Sequence, residues 1–458
     1  MSDVATKRRR CLFGTDGVRD VANRGSMTPE MALRLGRAYV LFLTERGFPR
    51  PKIVVGRDTR RSGPMLEAAL AAGMTSAGAD VICVGVTPTP SVGFGVRHFS
   101  AQGGAVISAS HNPAEYNGIK FLDGVGCKLS DEDELSIEDY LGDNLIDEWR
   151  PSGASVGSIE SRECDFNRQY EDHVLDLVGH VGLDRASILF DCANGALSPI
   201  VSDMIGRMGM VNSSAVGNLP DGLNINEKCG VMAMEGLCKE VVVRGMSLGI
   251  AYDGDADRVL LSDGKGRVLD GDIMLWIIGR WLHSRGELGT GVVATVMSNL
   301  ALDHHLKNDG IDVHRCPVGD RYVFQTMVEK DARLGGEQSG HVIVFPYTKT
   351  GDGLCTGFLF LRACKELKED IDTLVDRFGR FPQKLTNIVV KDKSRVMNDG
   401  NIASAVESAS RDLGDTGRVF LRPSGTEPLV RLLVECQDPD LMEEISSDLQ
   451  KRILEMII

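Results

Sequence analysis

The sequence predicts an α/β protein: three related α/β domains with mixed, mostly parallel sheets, followed by a smaller α+β domain. Three observations carry this. The chain has 458 residues, more than one hydrophobic core normally covers. Short apolar runs alternate with amphipathic helical stretches, the order that builds parallel sheets covered by helices. That grammar recurs until about Gly379, where strands and helices take a different order.

The first helix is bounded by its own residues. Thr28 offers an N-cap, Pro29 suits the first position, Met31, Leu35, Ala38 and Phe42 share a face, and Gly47 stops it. A strand from Ile53 to Val55, a helix from about Ser62 and a strand from Asp80 to Val84 complete a βαβ unit. Ile188 to Asp191 and Val292 to Val296 open two further copies. In each copy a later strand runs into a polar loop: Ala105 to Ile107 into Ser108-Ala109-Ser110, Leu248 to Ala251 into the Asp253 cluster, Leu334 into Gly335-Gly336-Glu337. Such loops, at the carboxyl ends of parallel strands, are where α/β sheets bind ligands. The remainder reads as strand Leu385 to Val390, helix Ile402 to Leu413, strands Arg418 to Leu421 and Leu429 to Val434, and a last helix capped by Asp438 with Leu441, Ile445, Leu449 and Ile453 in one stripe. Linkers expected at Ser152–Ser158, Ser262–Gly266 and Arg377–Pro382 divide the chain into 1–158, 159–262, 263–377 and 378–458.

Composition narrows the function. A hydrophobic content of 42%, a charged content of 25% and a mean hydropathy of -0.08 are those of a soluble globular protein. The formal net charge of -14 excludes a general nucleic-acid binder, which needs Lys and Arg against phosphate. The one basic run, Lys7 to Arg10, reads as a solvated arm. Eleven cysteines without a C-x-x-C pair, several inside apolar runs, fit reduced thiols in a cytoplasmic protein. No apolar run approaches the roughly 20 residues that span a bilayer.

Four loops carry residues that do chemistry. Ser108-Ala109-Ser110-His111-Asn112-Pro113 follows an apolar strand and precedes Asn117-Gly118-Ile119-Lys120. Ser110 is placed as a nucleophile, although an ordinary polar loop ending at Pro113 has the same pattern. The segment is not a G-x-S-x-G elbow, which disfavours serine hydrolase chemistry. Asp253, Asp255 and Asp257 alternate after another apolar strand, and three such carboxylates repel unless a hard cation sits between them or water separates them. An EF-hand fails, since Arg258 follows Asp257 and Gly264 holds the twelfth position. Glu337, Ser339 and His341 share a glycine-rich stretch that suits a ligand or a tight turn equally. Arg422-Pro423-Ser424-Gly425-Thr426-Glu427 offers a guanidinium, hydroxyls and a turn, either a phosphate nest or a plain hairpin.

Taken together, and with the opening Phe13-Gly14-Thr15-Asp16-Gly17-Val18-Arg19, these loops resemble the α-D-phosphohexomutases in content and order over essentially the whole chain. Met297-Ser298-Asn299 and Val318-Gly319-Asp320-Arg321-Tyr322-Val323 look like the branch acting on glucosamine phosphates rather than the one acting on mannose and glucose phosphates. The resemblance implies a mutase that interconverts glucosamine 6-phosphate and glucosamine 1-phosphate through phosphorylated Ser110 and a hexose 1,6-bisphosphate. It implies one Mg²⁺ held by Asp253, Asp255, Asp257 and Ser110. Lys120, Arg19, His111 and His341 fall at catalytic positions; Arg258, Gly319, Asp320, Glu337, Ser339, Arg422, Ser424, Gly425, Thr426 and Arg431 fall at substrate-binding ones. The expected partner is a small sugar phosphate, with no nucleic acid or membrane, and the expected form is a monomer or homodimer. A non-catalytic sugar-phosphate binder would need neither nucleophile nor metal loop. The chain departs from the family pattern at Asp20 and Ala256, where glycine is usual, and at Pro317, where the branch often has lysine.

Overall fold

The computed structural model describes residues 12–14, 16–142, 145–179, 182–183, 185–345, 347–424 and 428–457. The basic run at 7–10, Thr15, Gly425 and Thr426 lie outside the described residues.

Four sheets organise the chain. The first holds β1 (Val18–Val21), β2 (Lys52–Arg57), β3 (Asp80–Val86), β4 (Gly103–Ile107), β5 (Tyr116–Leu122) and β6 (Ile159–Ser161) in the order β1-β5-β4-β2-β3-β6. The second holds β7 (Ile188–Asp191), β8 (Ser214–Val216), β9 (Leu248–Tyr252), β10 (Val259–Asp263) and β11 (Val268–Leu269) in the order β11-β10-β9-β7-β8. The third, β12 (Val292–Thr295), β13 (Val313–Cys316), β14 (Leu334–Gly336) and β15 (Val342–Val344), runs β13-β12-β14-β15. Each of these three contains one repeated order: β5-β4-β2-β3, β10-β9-β7-β8 and β15-β14-β12-β13. In each, three strands are parallel and the one that closes the polar loop is antiparallel. The last sheet, β16 (Gln383–Val389), β17 (Gly417–Pro423) and β18 (Leu429–Cys436), is antiparallel throughout in the order β16-β18-β17.

The first sheet shows why the pattern folds. Ile53 and Val55 of β2, Ala105 and Ile107 of β4 and Ile119 and Phe121 of β5 face the helices Pro29–Glu45 and Gly63–Ser76. Val54, Val106 and Leu122 point to the other face, against Val92 and Val96 of the helix Thr89–His98. Successive strand residues alternate sides, so strands covered on both faces read as unbroken apolar runs. Each aliphatic side chain so buried stabilises by roughly 1.5–3 kcal/mol. The helix Pro29–Glu45 starts as its residues dictate, with Thr28 Oγ1 accepting the Met31 N–H at 3.3 Å.

By compactness the chain forms two units. One runs to Met297 and resumes over Ile311–Leu374; the other comprises Ser298–Gly310 and Val375–Ile458. The second has its own core, in which Ile388, Val430, Leu432 and Val434 meet Ile402, Leu449 and Ile453. Two expected domain boundaries fall inside sheets: β6 joins the first sheet beyond residue 158, and β11 joins the second beyond residue 262. Ser262–Gly266 is therefore not a linker. It is the turn between β10 and β11, closed by Asp263, whose carboxylate takes the N–H groups of Lys265 at 3.0 Å and Arg267 at 2.8 Å. Gly335 and Gly336 belong to β14 rather than to the loop after it, pairing with Val293 and Ala294 of β12 and with Ile343 and Val342 of β15; a Cβ at Gly335 would stand 2.6 Å from the Met327 sulfur. All cysteines described are unpaired, and among the described residues no helix is long and apolar enough to cross a membrane.

Candidate active site

Three loops of the larger unit, each carried at the carboxyl end of a parallel strand, meet around Ser110. This residue is buried at the end of the β4 loop with a φ of +52°, a left-handed conformation that an L-residue holds only when its surroundings fix it. Arg60 does much of the fixing. Its guanidinium donates to the carbonyls of Ser110 at 3.0 Å, Asn112 at 2.8 Å, Tyr116 at 3.1 Å and Pro113, while Asp58 balances its charge at 2.8 Å. Asp58 also accepts from Ser108 Oγ, which in turn accepts the Ser110 N–H. From the connection between β8 and β9, Asn226 donates to the Ser110 carbonyl at 2.9 Å. Gly254 lies so close that a Cβ there would stand 2.6 Å from that carbonyl, so glycine lets the two loops touch.

The loop that carries the three aspartates completes the centre. Asp253 Oδ2 accepts from Ser110 Oγ at 2.5 Å, and ligand atoms of Asp253, Asp255 and Asp257 all lie within 4.8 Å of one another. Burial, with Asp257 and Asp255 beside it, pushes the Asp253 carboxyl well above the usual range; a hard cation relieves that penalty. Asp255 Oδ1 and Asp257 Oδ1 are buried without hydrogen-bond partners. The three oxygen donors and these orphaned atoms fit a metal ion. Ala256, where the family usually has glycine, has a φ of +57°, which explains that usage. Asp20, the other such position, accepts the N–H groups of Val21 at 2.8 Å and Ser26 at 2.9 Å and closes a turn.

Lys120 of β5 is buried among carboxylates, with Nζ 2.8 Å from Asp255, 2.9 Å from Asp16 and 3.6 Å from Asp257. Burial favours its neutral form, but Asp16, Asp255 and Asp257 outweigh it and hold the ammonium charged. Conversely burial would raise Asp255, and Lys120 together with the Thr89 hydroxyl holds it below the ordinary range. Arg19 pairs with Asp16. The His111 ring nitrogen lies 3.3 Å from Ser110 Oγ; burial, with Arg258 and Arg19 nearby, pulls its pKa down to about 4, so the imidazole is neutral. Arg258 donates its backbone N–H to Asp253 at 3.2 Å.

Glu337, Ser339 and His341 gather in the β14–β15 loop. Glu337 accepts from the Gly319 N–H at 3.0 Å and from Ser339 at 3.3 Å. Gly319 therefore orients Glu337, and the Asp320 carboxylate is engaged by Lys128. His341 is buried, with Nε2 3.7 Å from Asp320. In the smaller unit, Arg422 and Arg431 stand opposite each other on β17 and β18. Burial and the Arg431 charge push the Arg422 guanidinium down; like charges directly opposite are unfavourable, and an anion between them removes the cost. Ser424 is buried and its carbonyl accepts from Lys393 at 2.7 Å.

The sequence reading missed Arg60, Asp58, Asn226, Lys128 and the part played by Asp16. Asp58 and Arg60 had a usable signal, since they follow β2 at the same carboxyl edge as the other loops.

Known proteins resemble this chain in sequence and in fold. Models described as phosphoglucomutase/phosphomannomutase α/β/α domain I, α/β/α domain III and C-terminal domain match residues 10–145, 270–381 and 385–451. A phosphoglucosamine mutase of Moorella thermoacetica is 45% identical over 444 residues, 96% of this chain and 98% of that protein. Among solved structures, a phosphoglucomutase/phosphomannomutase family protein from Burkholderia thailandensis shares the fold with a TM-score of 0.80 at 23% identity, covering 97% of each chain. N-acetylphosphoglucosamine mutase of Aspergillus fumigatus, solved with GlcNAc-6P and magnesium, aligns with a TM-score of 0.63 at 18% identity over 85% of this chain and 94% of that one. Fold and relatives define a phosphosugar mutase, an isomerase that relocates a phosphoryl group. The chain belongs to the α-D-phosphohexomutase family.

Proposed function

We propose that the protein interconverts glucosamine 6-phosphate and glucosamine 1-phosphate through phosphorylated Ser110 and a bound 1,6-bisphosphate. The observation that carries the transfer is the convergence of Ser110 Oγ, the aspartate cluster and Lys120 from separate strands at hydrogen-bonding distance. The glucosamine assignment rests on the relative of Moorella thermoacetica, matched over nearly its full length.

In this reading the sugar hydroxyl attacks phosphorus as the bond to Ser110 Oγ breaks. The attacking hydroxyl gives its proton to His341 and the departing Oγ takes one from Lys120, beside neutral His111, whose ring nitrogen lies 3.3 Å from that oxygen; the reverse step returns both protons. Lys120 and Arg19 face the phosphoryl oxygens as fixed cations, the main lever in phosphoryl transfer. Lys120 acts through its charge and as an acid, since its carboxylate neighbours keep it protonated. Asp253, Asp255 and Asp257, with a phosphoserine oxygen, would hold one Mg²⁺, which supplies further neutralisation of the transferring group. Glu337 and Ser339 take sugar hydroxyls, Arg258 orients the metal loop, and Arg422, Ser424, Gly425, Thr426 and Arg431 grip the phosphate that is not reacting.

Side-by-side kinetics with the 6-phosphates of glucosamine, mannose and glucose test the assignment. Glucosamine phosphate should have the highest kcat/KM, and chelation with EDTA should remove the activity. A mannose or glucose preference would move the protein to the other branch.

A further inference from the structure

Between the first and third sheets runs a chain of alternating charge that no catalytic assignment above requires in full. It begins at Asp255, passes to Lys120 at 2.8 Å and to Asp16 at 2.9 Å. Asp16 gives its other oxygen to Lys128 at 2.6 Å, Lys128 pairs with Asp320, and Asp320 faces His341 at 3.7 Å. Lys128 is the middle link, a cation placed between two carboxylates from different parts of the chain. Burial favours the neutral amine, but Asp16 and Asp320 outweigh it.

The two carboxylates border different parts of the proposed site, Asp16 the transfer centre and Asp320 the Glu337 loop. Asp16 precedes β1, so no ladder hydrogen bond aims its side chain; cations must do so. One of these, Arg19, is assigned above to the transferring phosphoryl group, which leaves Lys120 and Lys128 to hold Asp16. Asp320 opens the helix Asp320–Lys330, whose N-cap Gly319 orients Glu337 at 3.0 Å. We propose that Lys128 is a positioning residue for phosphoryl transfer: it fixes Asp16, which sets Lys120 against the phosphoryl group, and through Asp320 it sets the distance from that centre to the sugar-holding loop. The inference rests on the reading of Ser110 and Lys120 as the transfer centre. Lys128 touches no reacting atom, and a misplacement of about 1 Å in such a frame costs on the order of 10²-fold in rate.

The test compares Lys128→Met, Lys128→Arg and the double variant Lys128→Met/Asp320→Asn, in kinetics from both glucosamine phosphates and in thermal unfolding. Lys128→Met should lose about 10²-fold in kcat in both directions with KM changed less than about 3-fold. Lys128→Arg should recover most of it. The double variant, which removes the stranded carboxylate, should regain thermal stability without regaining kcat. Recovery of both stability and kcat in the double variant would overturn the proposal, as would a folded Lys128→Met enzyme within about 3-fold of wild-type kcat. A wild-type protein that lacks mutase activity and takes no phosphoryl group on Ser110 would instead overturn the underlying reading of the centre.

Discussion

Ser110 pays nothing for its identity in backbone terms, because alanine at a φ of +52° bears the same strain. Ser110→Ala should therefore remove transfer activity at least about 10³-fold, while thermal unfolding in the presence of Mg²⁺ changes by no more than about 1 kcal/mol. Peptide mapping of active wild-type enzyme should find one phosphoryl group on the peptide containing Ser110. Full activity in the alanine variant would refute the nucleophile. Ser110 and the three aspartates were legible because each stands in a short polar run directly after an apolar strand, whereas Lys120, inside β5, was singled out by the family resemblance. Asp16 and Lys128 were not: an isolated charge in a polar stretch has no periodicity, and only tertiary contacts bring these groups to the loops. His111 and His341 were found as loop residues, but which of them meets the serine depended on contacts.

At the scale of an element, the helix Gly353–Leu367 begins on a buried carboxylate. Asp352 accepts the Cys355 N–H at 2.9 Å and the Tyr170 hydroxyl at 3.0 Å, yet burial outweighs these bonds and raises its pKa from 3.8 to about 6. The folded state thus holds this proton more tightly than the unfolded chain does. Its cost to stability is present above pH 6 and fades as the pH falls from about 6 toward 3.8. Asparagine caps as well as aspartate and carries no charge. Asp352→Asn should accordingly be more stable than wild type at pH 7.5, by up to about 3 kcal/mol, with the advantage shrinking toward pH 4; thermal unfolding across that range measures it. A constant difference would show that the charge is not the cause. Helix starts of this kind were readable where a cap and proline coincide, as at Thr28 and Pro29, whereas β6 and β11, three and two residues long, carry no pattern and displaced the expected boundaries.

On the scale of the whole molecule, the proposed transfer asks one phosphoserine to serve both O1 and O6 of the sugar, so in that reading the bisphosphate turns around between steps. The phosphate away from Ser110 is then alternately the 1- and the 6-phosphate, and a site that takes both can read only phosphate oxygens. Facing guanidiniums at Arg422 and Arg431 suit that task. Arg422→Ala should depress the forward and reverse reactions alike and release bisphosphate during turnover; rates from each glucosamine phosphate, with free bisphosphate quantified, decide it, and a loss confined to one direction without release would refute a shared anchor. The repeated topology was visible in the sequence as three similar runs of apolar segments, while the partition into two units was not, since it depends on the placement of Ser298–Gly310. The hairpin that closes each loop has a further consequence, for insertions and deletions. Lys120 and Ile119 are neighbours on β5, one directed at the metal loop and the other at the helix-covered core. Adding or deleting one residue between Ser110 and Tyr116 while the ladder re-forms would exchange their faces, burying an ammonium among aliphatic side chains and presenting an isoleucine to the phosphoryl group. Evolution can change nearly any side chain in that loop more cheaply than it can change the loop's length.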